Sequence, residues 1–437
     1  MTDFPTGRAW IELDREALGH NAAYLTSLLP PGCALMPAVK ANAYGHGAVL
    51  VARELFALGI KAFCVASAAE GAELREHGVE GDILVLGYTH PACFPALEAY
   101  RLTQTVVDCA YALELGQYGK PLEVHVKLDT GMHRLGERCE RLRELQAIFA
   151  VPNLRVTGAY THLCADETDS PAGRAFTLAQ GRAFHDAVAR LRARGCVIPK
   201  AHILASDGLL RYPELGGDCA RTGIALYGTL GTRTDLEKYG GCLRPVLSLK
   251  ARITVVKDVF QGEGAGYALR FRAARDTRLA AAAIGYGDGL PGALGCGVGA
   301  ALVNGVRAPI AGRVCMDQVL LDVTEVPRVS PGDTAVFIGR DGGGEITAVD
   351  VAEQAGTIAN EILSRLGARL ERVMVGLQQR ALQPEGDALL NNLSCLPLSG
   401  GGALFGHDQN SFSHQIASRN RVCGGGKRQT RDSGWTK

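Results

Sequence analysis

The chain has 437 residues, room for two or three domains, and its 47% hydrophobic and 21% charged content is that of a globular protein. Lysine and arginine number 46 against 45 acids, a net charge of +1, which gives no pull toward nucleic acid or an anionic membrane. The 13 cysteines form no CxxC pair and no HExxH is present, so reduced thiols are expected, with neither a disulfide framework nor a bound metal.

The N-terminus, MTDFPTGRAWIELDREALGHN, lacks the basic-then-apolar pattern of a signal peptide. No apolar stretch reaches the ~20 residues a spanning helix needs. GALGCGVGAALV (292–303) comes nearest and is short and glycine-rich. A cytoplasmic location with no membrane partner is expected.

From residue 33 short apolar runs alternate with helical patterns. The expected strands are CALMPAVK (33–40), AFCVAS (62–67), DILVLGY (82–88), TQTVVD (103–108), LEVHVKLD (122–129), RVTGAYTHL (155–163), AHILAS (201–206) and CARTGIALYG (219–228). AVLVARELFALGI (48–60) and RAFTLAQGRAFHDAVARLRARG (174–195) are among the helices between them. Continuous apolar strands alternating with helices imply a parallel sheet. Such units repeated over about 200 residues fit a (β/α)8 barrel of the TIM type, with a doubly wound open sheet as the alternative. After Gly241 the pattern changes. CLRPVLSLKARITVVKDV (242–259), RLAAAAIGYGDGL (278–290), ALVNGVRAPIAGRVCMDQVLLDVT (301–324) and GDTAVFIG (332–339) have strand composition broken by turn residues. Helical periodicity returns only in ITAVDVAEQAGTIANEILSRLG (346–367). The expected division is an α/β barrel over 1–241, a mainly β domain over 242–377 and a disordered tail over 378–437.

In a barrel of this kind active sites lie at the C-terminal ends of the strands. Lys40 ends the first strand; Lys127, Asp129 and Arg134 follow the fifth; His162 ends the sixth, Ser206 the seventh, and Arg221 lies on the eighth. A lysine closing a buried strand is costly unless its nitrogen is needed. Such an amine, with its pKa lowered, can form a Schiff base with an aldehyde cofactor, of which pyridoxal phosphate is the usual one. The SDG (206–208) and TGI (222–224) turns offer a hydroxyl and backbone N–H groups for a phosphate. GYGDGLPG (285–292) contains a formal GxGxxG, but no helical pattern follows it, so a dinucleotide site is disfavoured.

PAVKANAYGHG (37–47), VKLDTGMHRLG (126–136), YTHLCADE (160–167), CARTGIALYG, IGYGDG (284–289) and GRVCMDQ (312–318), in that order, resemble the motifs of the alanine racemases, pyridoxal-phosphate enzymes of fold type III. The resemblance covers about residues 8–376. It implies that Lys40 tethers the cofactor and is the base for the D-enantiomer. It also implies that Tyr267, in GAGYALRF (264–271), is the opposite base, for the L-enantiomer, reaching in from the second domain of a partner subunit in a homodimer. Tyrosine is a poor base at neutral pH unless cations or the cofactor shift its balance, and His162 and Arg221 belong to that polar network in the family.

By the same resemblance Arg221 faces the pyridine nitrogen, where a permanent cation disfavours ring protonation and suppresses transamination. Arg134 orients the substrate carboxylate. Lys127 matches a lysine that is often carbamylated, which would turn its pairing with Arg134 attractive. Tyr44, Ser206, Gly223 and Ile224 match phosphate contacts, and Tyr286, Met316 and Asp317 match partner-subunit residues at the site's mouth. The expected product role is D-alanine for peptidoglycan. A fold-type-III decarboxylase would carry a glutamate in place of Arg221, and a non-catalytic pyridoxal-phosphate carrier would lack the β domain.

One position departs from the family. TIANEILSRLG (357–367) carries Asn360 where a tyrosine usually bonds the phosphate and narrows the pocket. Asparagine is smaller and both donates and accepts. The serine racemases of vancomycin resistance resemble the chain here, although they carry a membrane domain in addition. Serine or mixed serine/alanine racemisation is the alternative expectation.

Overall fold

The computed structural model describes residues 7–165 and 170–376; the tail expected over 378–437 lies outside them. The parallel strands form a closed ring. Around it run Ala34–Leu35, Ala62–Val65, Asp82–Val85, Thr103–Val106, Leu122–Asp129, Leu154–Tyr160, Lys200–His202 and Cys219–Ala220, eight in all. The first meets the second through Ala38 and Cys64, with Val39 N–H donating to Cys64 C=O at 2.8 Å. The seventh meets the eighth through Ala205 and Arg221. Cys219 then pairs with Ala34, and Met36 and Ala38 donate to Ala220 and Thr222. Every edge is paired, so the barrel reading holds and the open sheet does not.

Alternation along each strand sorts side chains into two sets. On Leu122–Asp129, Val124, Val126 and Leu128 belong to the large core shared with the surrounding helices. His125, Lys127 and Asp129 take the opposite, inward parity. Met36 and Ala38 pack inside the ring with Cys64, Leu84, Tyr160 and Cys219. Lys40, His162 and Arg221 continue those inward series one step toward the C-terminal end, which is why polar groups converge there.

The eighth strand is shorter than expected. Only Cys219–Ala220 is strand, and Ile224–Tyr227 is a 3-10 turn. The chain bends at Gly223 because the Tyr44 hydroxyl occupies the space above it: a Cβ there would lie 2.6 Å from Tyr44 Oη.

The second domain is mainly β, built around the long strand Leu247–Val259. The first half of that strand pairs with Ala9–Asp14 and Thr334–Asp341, its second half with Thr277–Ala282. Ala9–Asp14 also pairs in parallel with Glu371–Val375. The expected division at 241 counts Ala9–Asp14 with the barrel, whereas its hydrogen bonds join it to the β sheet. The helical stretch of 346–367 is two helices, Ala348–Ala355 and Ala359–Ser364, parted where Gly356 takes φ +71°. Thr347 and Asp350 cap the first reciprocally. Among the described residues no helix is long and apolar enough to cross a membrane.

Candidate active site

Lys40 stands at the end of its strand, and the chain then turns the wrong way. Ala41, Asn42, Ala43 and Tyr44 all have φ between +51° and +54°, a left-handed turn closed by Gly45 at +80°. For residues with a Cβ this costs about 1–2 kcal/mol each. The surroundings fix it. Glu70 accepts from Ala41 N at 2.8 Å and from Ala66 N at 2.6 Å, tying the turn to the next strand. Asn42 Oδ1 accepts from Ala48 N at 2.8 Å, and His46 Nδ1 lies 3.0 and 2.9 Å from the carbonyls of Ala43 and Tyr44. The result sets Tyr44 over Gly223.

A cavity of about 350 Å³ opens there. Lys40, Tyr44, Lys127, Arg134, Tyr160, His162, Ser206, Arg221, Gly223 and Ile224 line it, and Asn360 reaches it from the β domain. Nine of the sequence-derived site residues come from the barrel and one from the covering helix Ala359–Ser364. The Ser206 hydroxyl accepts from Gly223 N at 2.9 Å and Ala225 N at 3.3 Å, which pins the eighth strand's turn against the seventh. Asp129 holds the loop carrying Arg134: its carboxylate accepts from Gly131 N and His133 N, both at 3.0 Å. Burial would raise the Asp129 pKa, but these bonds outweigh it and hold the group below its usual value.

The pocket is cationic. Burial, then Arg134, lowers the Lys40 pKa and favours the neutral amine. Burial and Arg221 push Lys127 well below the usual lysine range. His162 is driven well down by burial, with Arg221 and Lys127 adding to it, and is neutral at pH 7. Arg221 donates to Thr161 C=O at 2.6 Å and contacts His202 Nδ1 at 2.6 Å, with its guanidinium 4.9 Å from the Tyr160 ring centre.

Tyr267, Tyr286, Met316 and Asp317 do not line this cavity. They lie on the β domain, with Tyr267 68%, Tyr286 51% and Met316 52% exposed. The last three form one assembly: Tyr286 N donates to Cys315 O and Gly287 N to Met316 O, both at 2.9 Å. Arg369 bridges Asp317 and the fully buried Asp288, which also pairs with Arg8. GYGDGLPG forms the short turn Tyr286–Asp288, followed by a single 3-10 turn at Gly292–Leu294 and then a strand rather than an α-helix, so it makes no dinucleotide loop. Sequence reasoning missed His125, His202 and Glu70; a histidine inside the apolar runs VHVKLD and AHILAS was the available signal for the first two.

A closed (β/α)8 barrel with a lysine ending its first strand, followed by a β domain, defines a two-domain barrel enzyme. The profile of the alanine racemase N-terminal domain matches residues 13–231 and that of the C-terminal domain residues 246–374. The chain belongs to the alanine racemase family, a family of amino-acid racemases. It is 39% identical over 371 residues to an alanine racemase of Carboxydothermus hydrogenoformans, covering 84% of this chain and 99% of that protein. It is 40% identical over 365 residues to an amino-acid racemase of Enterococcus faecalis, covering 84% of this chain. The chain spans about half of that relative's length (51%). The crystal structure of the Bacillus anthracis alanine racemase with bound L-Ala-P superposes with a TM-score of 0.78 at 31% identity, covering 84% of this chain and 95% of that one.

Proposed function

We propose that the protein interconverts L- and D-alanine with pyridoxal 5'-phosphate, as a homodimer with shared sites in the cytoplasm, supplying D-alanine for peptidoglycan. The observation that carries this is the convergence of Lys40, Arg134 and Arg221 on one cavity in which burial and neighbouring cations favour the neutral lysine amine. The residues present suit the cofactor. A neutral amine is the form that condenses with an aldehyde. Tyr44, Ser206, Gly223 and Ile224 line the same cavity as polar and backbone partners for a phosphate, and only glycine fits beneath Tyr44.

When bound, pyridoxal phosphate supplies an electron-withdrawing ring that acidifies the substrate's α C–H. Everything else falls to this chain. Lys40 Nζ takes and returns the proton on one face. The hydroxyl of Tyr267 from the second subunit serves the other face, its exposure in one chain fitting a group that acts elsewhere. The Arg134 guanidinium orients the substrate carboxylate. Arg221 would face the ring nitrogen with a charge it does not give up, which would restrain transamination. His162, held neutral, adds no further cation. Carbamylation of Lys127 would replace an amine that burial pushes well below the usual lysine range by an anion beside Arg134. Tyr286, Met316 and Asp317 line the mouth of the partner's site.

A second reading, racemisation of serine alongside alanine, is favoured by Asn360. It lines the cavity with a small amide in place of a phenol. Side-by-side assay of L-alanine and L-serine on protein purified with pyridoxal phosphate, read by chiral chromatography, tests both. Dominant alanine turnover supports the first reading; comparable or dominant serine turnover supports the second. Turnover of neither overturns both.

A further inference from the structure

Inside the barrel, beneath the cavity, two histidines meet without a carboxylate. His125 is 3% and His202 0% exposed. Arg221 Nη1 lies 2.6 Å from His202 Nδ1, and His202 Nε2 lies 2.9 Å from His125 Nδ1. Guanidinium nitrogens only donate. His202 Nδ1 must therefore accept, and a neutral His202 carries its proton on Nε2. That N–H points at His125 Nδ1, which must accept in turn. A proton added to either ring at the shared contacts would set donor against donor. The chain has one direction: Arg221 to His202 to His125.

Two further observations show that the fold makes room for this chain. The Tyr160 ring stacks on His202 at 4.9 Å and 5°, fixing the imidazole plane. Gly158, beside His125, cannot carry a side chain, because a Cβ would lie 2.7 Å from His125 Nε2 and Cε1. The neighbouring charges agree. Burial and Arg221 drive His202 well down, and burial with Lys200 holds His125 at about 3.

We propose that His125 is a positioning residue for Arg221: by accepting the His202 Nε2–H it selects the tautomer that presents a lone pair to the guanidinium, and so sets the direction in which Arg221 faces the cavity. The kinetic part of its test rests on the pyridoxal-phosphate reading; the tautomer part does not. No step of the reaction passes through His125.

Nitrogen-15 spectra of holoenzyme labelled at histidine read the tautomers directly. At pH 7 two neutral rings protonated at Nε2 are expected, assigned by their change in H125L and H125N. Asparagine places its oxygen near the former Nδ1 and keeps an acceptor; leucine has none. H125L is expected to shift the bound cofactor's absorption and to lower kcat about tenfold, the worth of one buried hydrogen bond, with KM little changed. H125N is expected to restore both. A His202 protonated on Nδ1 would overturn the proposal. So would H125L indistinguishable from wild type, or H125N as impaired as H125L, which would reduce His125 to packing. Should the protein racemise neither amino acid, the functional reading fails and the nitrogen spectra still decide this one.

Discussion

Gly45 of the barrel sits directly against the backbone carbonyl of Leu363 in the β domain, so closely that a Cβ on Gly45 would overlap the oxygen. Gly45 ends the left-handed turn that sets Tyr44, and Leu363 belongs to the helix Ala359–Ser364 that brings Asn360 to the cavity. One contact therefore fixes the distance between the floor of the site and its cover.

Replacing Gly45 by alanine meets both the overlap and a φ of +80°. Denaturant titration is expected to show a loss above about 2 kcal/mol. Ala41→Gly should do the reverse. It relieves a strained φ of +51° at an exposed position, offset by the extra freedom of the unfolded chain, for a net gain of up to about 1 kcal/mol. A destabilised A41G would mean that the turn is not strained at that residue.

Asn360→Tyr narrows the cavity and removes an amide that can bond a hydroxyl. If serine is a substrate, the ratio of serine to alanine kcat/KM should fall about 5- to 100-fold, the range of one polar contact. An unchanged ratio would make Asn360 a neutral replacement.

Shared sites can be counted. K40A and Y267F homodimers should each be inactive toward L-alanine. Mixed by unfolding and refolding together, half the dimers should be hybrids with one intact site, giving about a quarter of wild-type activity. No recovery in a verified hybrid would place Tyr267 in its own subunit's chemistry or in none.

Acid should destabilise the fold earlier than carboxylate protonation does. His46 is held at about 4 by burial and His125 at about 3, with His162 and His202 also low. Each native imidazole stays neutral while the unfolded one, near 6.5, binds a proton. The unfolded state takes up more protons, so stability rises with pH below about 6.5 and falls on acidification toward 4. The slope is about 1.4 kcal/mol per pH unit per histidine so affected. A flat denaturant midpoint between pH 6.5 and 5 would refute it.

The barrel was legible because parallel strands buried on both faces leave continuous apolar runs, and their polar ends stood out against them. Lys40, Lys127, His162 and Arg221 were found this way, from their positions at or near the strand ends. Three features left no local trace. KANAY is made of residues that favour a right-handed helix, and its left-handed turn is imposed by Glu70, His46 and the Leu363 contact. Ala9–Asp14 joins strands more than 230 residues away, a pairing that no window of sequence contains. Tyr267, Tyr286, Met316 and Asp317 rested on resemblance alone, and a single chain keeps them apart from the cavity.

Arg134 and Arg221 keep their charge in the cavity, and among the described residues Asp207 is its one lining carboxylate. Before it is loaded, such a cleft is an ion trap. Sulfate, inorganic phosphate and citrate compete for the ground that the cofactor's phosphate must take. The buffer chosen for purification therefore governs how fast, and how fully, reconstitution proceeds.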